Sequence, residues 1–180
     1  MAAEYSANAI QTVAAGGSVL FTESPVPCNR GLIYHRDESG AFRLASPAAM
    51  GNCCRRRCCC ADYPTANYQV AFHANIQIPA DGTVEPISLA VAIDGEVDPS
   101  SIMTFTPAAA EELGNVGADV IVAVPCICRC SSVSIRNVST QAIQVQNANI
   151  VFDFAGVRQL GRKRHGSAQR SVRLKRNGRA

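Results

Sequence analysis

Between Tyr68 and Asp94 the apolar side chains keep a period of two, and that alone removes most folds from consideration. Tyr68, Val70, Phe72, Ala74, Ile76 and Ile78 alternate with Gln69, Ala71, His73, Asn75 and Gln77. After an interruption, Ile87, Leu89, Val91 and Ile93 alternate with Ser88, Ala90, Ala92 and Asp94. Successive side chains on a strand point to opposite faces, so each run has one face for a core and one wetter face. A helix would scatter the same residues around its cylinder. Between the runs, the segment from Pro79 to Pro86 offers Asp81-Gly82 for a positive-φ position and prolines that end each strand. The pattern predicts two long strands joined as a hairpin.

The rest of the chain reads the same way. Ala9–Val13 and Ser18–Thr22 are predicted strands around a small-residue turn, and Ser24–Asn29 a loop. Gly31–His35 and Ala41–Leu44 predict a second hairpin with a polar turn. Residues 45–64 hold no periodicity and are crowded with Cys, Arg, Gly and Pro, which predicts a long loop. Ser101–Thr106, Asp119–Val124 and Ser131–Val138 follow as strands, with Ala108–Leu113 either one helical turn or an ordered loop. Ala142–Val145 and Asn149–Phe154 are expected as a final pair. About ten short strands with turn signals every 8–12 residues point to an all-β antiparallel sandwich or barrel.

Charge divides the chain in two. Residues 158–180 hold Arg158, Arg162, Lys163, Arg164, Arg170, Arg173, Lys175, Arg176 and Arg179 and no acid. Residues 1–157 hold the other eight basic residues against all fourteen acids, a net of −6. The formal charge of +3 therefore describes an acidic domain with a basic tail. Alternation stops at Arg158, so the expected organisation is a folded domain over 1–157 and a basic C-terminal tail over 158–180. No positive leader precedes an apolar run, and no apolar run approaches the ~20 residues that span a bilayer. Synthesis in a cytosol, with no membrane partner, is the expectation.

The nine cysteines fall in three groups: Cys28; Cys53, Cys54, Cys58, Cys59 and Cys60 around Arg55–Arg57; and Cys126, Cys128 and Cys130. Structural zinc takes four thiolate or imidazole ligands, usually through a short C-x₂₋₄-C knuckle. Cys54 and Cys58 have a permissible spacing, but no paired CxxC motif accompanies them. Disulfides tying the 53–60 loop to Cys28, to 126–130 or to another subunit are a second reading, and reduced buried thiols a third. Arg55–Arg57 is either a solvated loop or a positive patch that pairs with a neighbouring subunit's carboxylates. No cofactor is called for.

No catalytic constellation is legible. His35 and His73 have no nucleophile or carboxylate partner in sequence, and Asp94-Gly95-Glu96 with Asp98 lacks regular calcium-loop spacing. A non-enzymatic protein is expected. The tail has enough charge to bind phosphates but no base-reading motif and no aromatic platform. Anchoring on an acidic protein surface is the favoured role for it, with nucleic-acid contact and solubilisation as alternatives.

The runs Asn8–Val13, Val19–Glu23 and Pro27–Gly31 carry a family resemblance. So do Tyr34-His35-Arg36 with Ser39-Gly40, the segment Thr106–Ala109, and Gln144–Asn149. Together they resemble small jelly-roll proteins of the tumour-necrosis-factor-like type found in Firmicutes, their phages and prophages; related domains cap collagen-like spore-coat proteins. The resemblance covers residues 8–154. It implies a ten-strand jelly roll assembling as a homotrimer through strand faces near the threefold axis. The arginines in the cysteine loop and the basic tail depart from the group, and the Gly-X-Y repeats of the spore-coat relatives do not occur. That favours a virion component, a decoration or fibre-like protein anchored by its tail to other virion proteins; the alternative is a trimeric cell-surface or glycan-binding adhesin. With few aromatics and no Trp, the glycan reading is the weaker. Within the trimer, the polar face bearing Gln69, His73, Asn75 and Gln77, which no isolated core needs, is the expected subunit interface.

Overall fold

The computed structural model of the chain describes residues 2–28, 31–35, 39–46, 65–125 and 130–158. These residues form β1 (Ala2–Ala7), β2 (Gln11–Val13), β3 (Glu23–Val26), β4 (Ile33–His35), β5 (Ala41–Leu44) and β6 (Thr65–Gln77). The series continues with β7 (Ile87–Ile93), β8 (Glu96–Val97), β9 (Met103–Phe105), β10 (Gly114–Pro125), β11 (Ser131–Asn137) and β12 (Ile143–Arg158). One six-stranded sheet has the order β10-β6-β12-β1-β3, with β2 also on β12; the other has β4-β5-β11-β7-β8, with β9 also on β7. Every pairing is antiparallel.

The core lies between the sheets, where the period-two pattern puts it. Tyr68, Val70, Phe72, Ala74, Ile76 and Ile78 are buried from one side, and Ile87, Leu89, Val91, Val133 and Ile135 from the other. At one end the aromatic rings join the sheets. Phe42 of β5 meets Tyr5 at 4.9 Å, Phe152 at 4.8 Å and Phe21 at 5.2 Å between centroids. Tilted and edge contacts of this kind add stability of about 0.5–1.5 kcal/mol each beyond area burial.

The two most legible strands are not a hairpin. β6 and β7 belong to opposite sheets, so the segment between them crosses the sandwich. Alternation reports that a strand has an inner face; it does not report which strand lies beside it. The crossing is fixed by Gln141, whose side chain accepts from Thr83 N at 3.0 Å and donates to Thr83 O at 2.6 Å. Gly82 packs so closely that a Cβ there would meet Ile78 Cγ2 at 2.4 Å.

The other differences have local causes. The expected last pair is one strand, β12, carrying a bulge between Gln146 and Asn149 with Asn147 at φ 51°. Buried positions switch there from Ile143 and Val145 to Ala148, Ile150 and Phe152, so the sequence reads as two strands. Ser18–Thr22 alternates in burial but forms no ladder: Val19 N bonds Ile135 O and Thr22 N bonds Ser6 O, so this segment runs from one sheet to the other. β3 lies in the segment expected as a loop; its Pro25 fits an exposed edge strand. β1, rich in alanine, gave no strand signal. Ala108–Leu113 is a turn rather than a helix.

Candidate functional site

Alternation on β6 sends Gln69, Ala71, His73, Asn75 and Gln77 outward, and the ladders bring matching residues beside them. One row runs Ile121, Gln69, Asp153, the next Asp119, Ala71, Val151, Glu4, and the next Gly117, His73, Asn149, Ser6. Amides pair with one another or with carboxylates across strands. Gln77 Nε2 donates to Gln144 Oε1 at 2.6 Å, Asn115 Nδ2 to Asn75 Oδ1 at 3.0 Å, and Asn149 Nδ2 to Glu4 Oε1 at 2.6 Å. The centre is small (Ala71, Gly117, Val151), and Glu4, Asp119 and Asp153 give the face an acidic character. All four predicted interface residues share this surface: Gln69 and His73 are exposed, Asn75 and Gln77 half-buried.

A second polar region lies at the β3/β4 edge and on the outer face of β4, β5 and β11. A cleft of about 240 Å³ there is lined by Tyr5, Glu23, Ser24, Cys28, Tyr34 and His35 among others. A neighbouring cleft of about 360 Å³ is lined by Tyr34, Ser39, Ala41, Arg43 and Ser132. Tyr34 and Arg43 are register partners and Arg43 pairs with Ser132, so the three stand in one outward row. Tyr34 is 60% exposed and is the wall shared by both clefts. The Glu23 carboxylate accepts from Ser6 Oγ at 3.2 Å and Asn8 Nδ2 at 3.1 Å.

Burial pushes the Tyr5 phenol above its ordinary value of 10.0, and the adjacent Cys28 thiol adds to the effect; hydrogen bonding to the Cys28 backbone and the Ser24 side chain opposes it. His35 has structural partners. Its ring stacks on Phe42 at 4.5 Å, and Nε2 lies 2.9 Å from Ser39 O. The acidic turn after β7 spends two of its carboxylates locally. Asp94 Oδ1 accepts from Ser132 N at 2.7 Å, and Asp98 Oδ1 accepts from Ser100 N at 2.9 Å and Ser100 Oγ at 2.7 Å. Among the described residues no three His, Cys, Asp or Glu side chains converge as metal ligands.

Of the cysteine candidates, Cys28 is half-buried against the core and Cys130 exposed, both as free thiols. Cys53, Cys54, Cys58, Cys59, Cys60, Cys126 and Cys128 lie outside the described residues, as do Arg55–Arg57 and the basic positions from Arg162 onward. Arg158 is the last residue of β12, where its backbone pairs with Thr65. Tyr34 and Arg43 carried no sequence signal as site residues. Their outward parity is readable from β4 and β5, but the hollows beside them depend on neighbouring strands.

Two antiparallel sheets packed face to face with this strand order define a jelly-roll sandwich. No protein-family model and no curated protein sequence matches the chain. Among solved structures, murine APRIL at pH 5.0 is similar with a TM-score of 0.56 at 7% identity, covering 88% of this chain and 99% of that one. Eiger TNF from S. frugiperda is similar with a TM-score of 0.55 at 9% identity, covering 88% and 91%. PRD1 vertex protein P5 lies further off, at a TM-score of 0.40 and 13% identity over 88% and 96%. At these identities the likeness concerns the fold, and the fold is the tumour-necrosis-factor-like jelly roll.

Proposed function

We propose that the chain is a non-enzymatic structural protein of a phage virion, a homotrimer exposed on the particle and held there by its basic C-terminal segment. The observation that supports assembly is the outer face of the β10-β6-β12 ladder. Its small central residues allow close approach, and the Gln77–Gln144, Asn75–Asn115 and Asn149–Glu4 pairs are already made, so docking a second copy need not immobilise those side chains anew. Glu4 and Asp119 add carboxylates to that face, and Arg55–Arg57 of a neighbouring copy is the proposed cationic partner for them. Placement on a virion rests on the sequence resemblance and on the basic tail, which suits an acidic protein shell. The tail's partners are other virion proteins, with nucleic acid the lesser candidate.

Light scattering on the purified full chain tests the assembly, with a mass of three chains expected. Electron microscopy of native particles tests the placement. A monomer at micromolar concentration would remove the trimer, and particles lacking the protein would remove the virion role.

A further inference from the structure

We propose that Tyr34 and its two flanking clefts form a saccharide-binding subsite that takes an acidic sugar. Tyr34 is the one aromatic among the large exposed hydrophobics of the described residues; Phe21, Phe42, Phe72, Tyr68 and Phe152 are fully buried. A single exposed apolar side chain is ordinary. What sets this one apart is its position as the common wall of two polar hollows. Each is at or below the low end of the ~300–1,000 Å³ typical of pockets that enclose a drug-sized ligand. A ligand would therefore lie across the ring and send substituents to either side.

The lining selects the chemistry. A pyranose ring has an apolar C–H face and an edge of hydroxyls. An exposed phenol ring offers a flat apolar platform for the face. Thr22, Ser24 and the Glu23 carboxylate on one side offer partners for the edge; on the other, Ser39 and Ser132 already donate to Ala41 O and Asp94 Oδ1 and offer their oxygens as acceptors. The two sides differ in charge. Glu23 stands in the first cleft, already holding Ser6 and Asn8, with oxygen capacity left for ligand hydroxyls. Arg43 stands in the second, with no carboxylate partner among the described residues, and a guanidinium presents the fork that a sugar carboxylate matches bidentately. The subsite goes beyond the trimer reading and does not rest on it, because the Arg43 cleft opens on the sheet opposite the proposed subunit interface.

The test titrates the full chain with tetragalacturonic acid, a hyaluronan tetrasaccharide and sialyllactose, followed by saturation-transfer NMR and calorimetry. The methyl ester of the first and an acidic peptide serve as comparisons. At least one acidic sugar is expected to bind saturably and more tightly than either comparison. Tyr34→Ala should weaken it by about tenfold, as for loss of an aromatic anchor, while Tyr34→Phe keeps most of the affinity. Arg43→Gln should erase the preference for the acid over its methyl ester. Both side chains are exposed, so unchanged thermal midpoints will show that the variants fold. No saturable sugar binding, equal binding of the acidic peptide, or affinity indifferent to Tyr34→Ala would each overturn the proposal, whatever the oligomeric state proves to be.

Discussion

The imidazole of His73 lies over Gly117: a Cβ on that glycine would stand 2.4 Å from Nδ1 and 3.0 Å from Cε1. The two residues are register partners across β6 and β10, so the missing side chain of one is the resting place of the other. Gly117→Ala should push the ring off the face while leaving the core intact. Monomer stability is expected to change by less than about 1 kcal/mol, since the site is exposed and alanine also restricts the unfolded chain. Subunit affinity should fall, and His73→Glu should lower it further by adding a carboxylate to an acidic face. Sedimentation equilibrium over a dilution series reads both variants. Trimers of unchanged affinity in the two would place the interface elsewhere.

Asn137 is the polar residue on which the loops at one end of the sandwich depend. It is fully buried; Nδ2 donates to Val13 O at 3.0 Å and Gln141 O at 2.8 Å, and Oδ1 accepts from Ser139 N at 2.9 Å. Removing the amide leaves those groups without their partner, each at a cost of roughly 1–3 kcal/mol if water does not reach it. Asn137→Ala should therefore destabilise the fold by about 2–4 kcal/mol in urea unfolding. Asn137→Asp, which keeps the acceptor but loses both donors and adds a charge, should cost at least as much. A loss under about 1 kcal/mol for the alanine variant would mean that solvent takes over these bonds.

Tyr5 predicts an alkaline weakness. Its phenol ionises above its ordinary value of 10.0 in the folded chain because burial, and then the Cys28 thiol, disfavour the phenolate. The folded state thus holds this proton more tightly than the unfolded state. Its contribution to stability is whole below pH 10 and is lost as pH rises through the folded value. Tyr5→Phe should flatten that part of the alkaline decline in urea midpoint while leaving the neutral midpoint within the range of a core hydroxyl deletion. Ultraviolet titration should show the missing phenol to be one that ionises late. A Tyr5→Phe chain whose alkaline decline matches the parent would rule out this origin.

Burial was legible in the sequence where each strand repeats large side chains, and connectivity was not. The parity of Tyr68–Ile78 placed six residues in the core, yet neither parity nor the Asp81-Gly82 turn could report that β7 lies across the sandwich. That information resides in long-range contacts such as Gln141 with Thr83. β1 escaped notice because Ala3 and Ala7 fill inward positions without raising local hydrophobicity. The outward set Gln69, His73, Asn75 and Gln77 followed directly from alternation. The Tyr34 region did not, because an exposed tyrosine in a three-residue strand resembles a buried one until its neighbours are placed.

The last strand sets where the basic segment can be cut. Arg158 continues the β12 ladder opposite Thr65, and Phe154 packs on Tyr68 with ring centroids 5.4 Å apart. Truncation before residue 158 risks fraying that edge, so the informative deletion begins at residue 159. It removes eight of the nine basic residues in 158–180 while leaving the strand whole. The shortened chain is expected to keep its thermal midpoint and its trimer, because neither the core nor the outer face of β6 is touched. It should lose attachment to particles in a co-sedimentation assay. If attachment is electrostatic, the full chain should also detach as ionic strength rises and the Debye length falls from about 10 Å at 0.1 M to about 3 Å at 1 M. Release from nuclease-treated particles would instead assign the tail to nucleic acid, and full attachment of the truncated chain would end its role as an anchor.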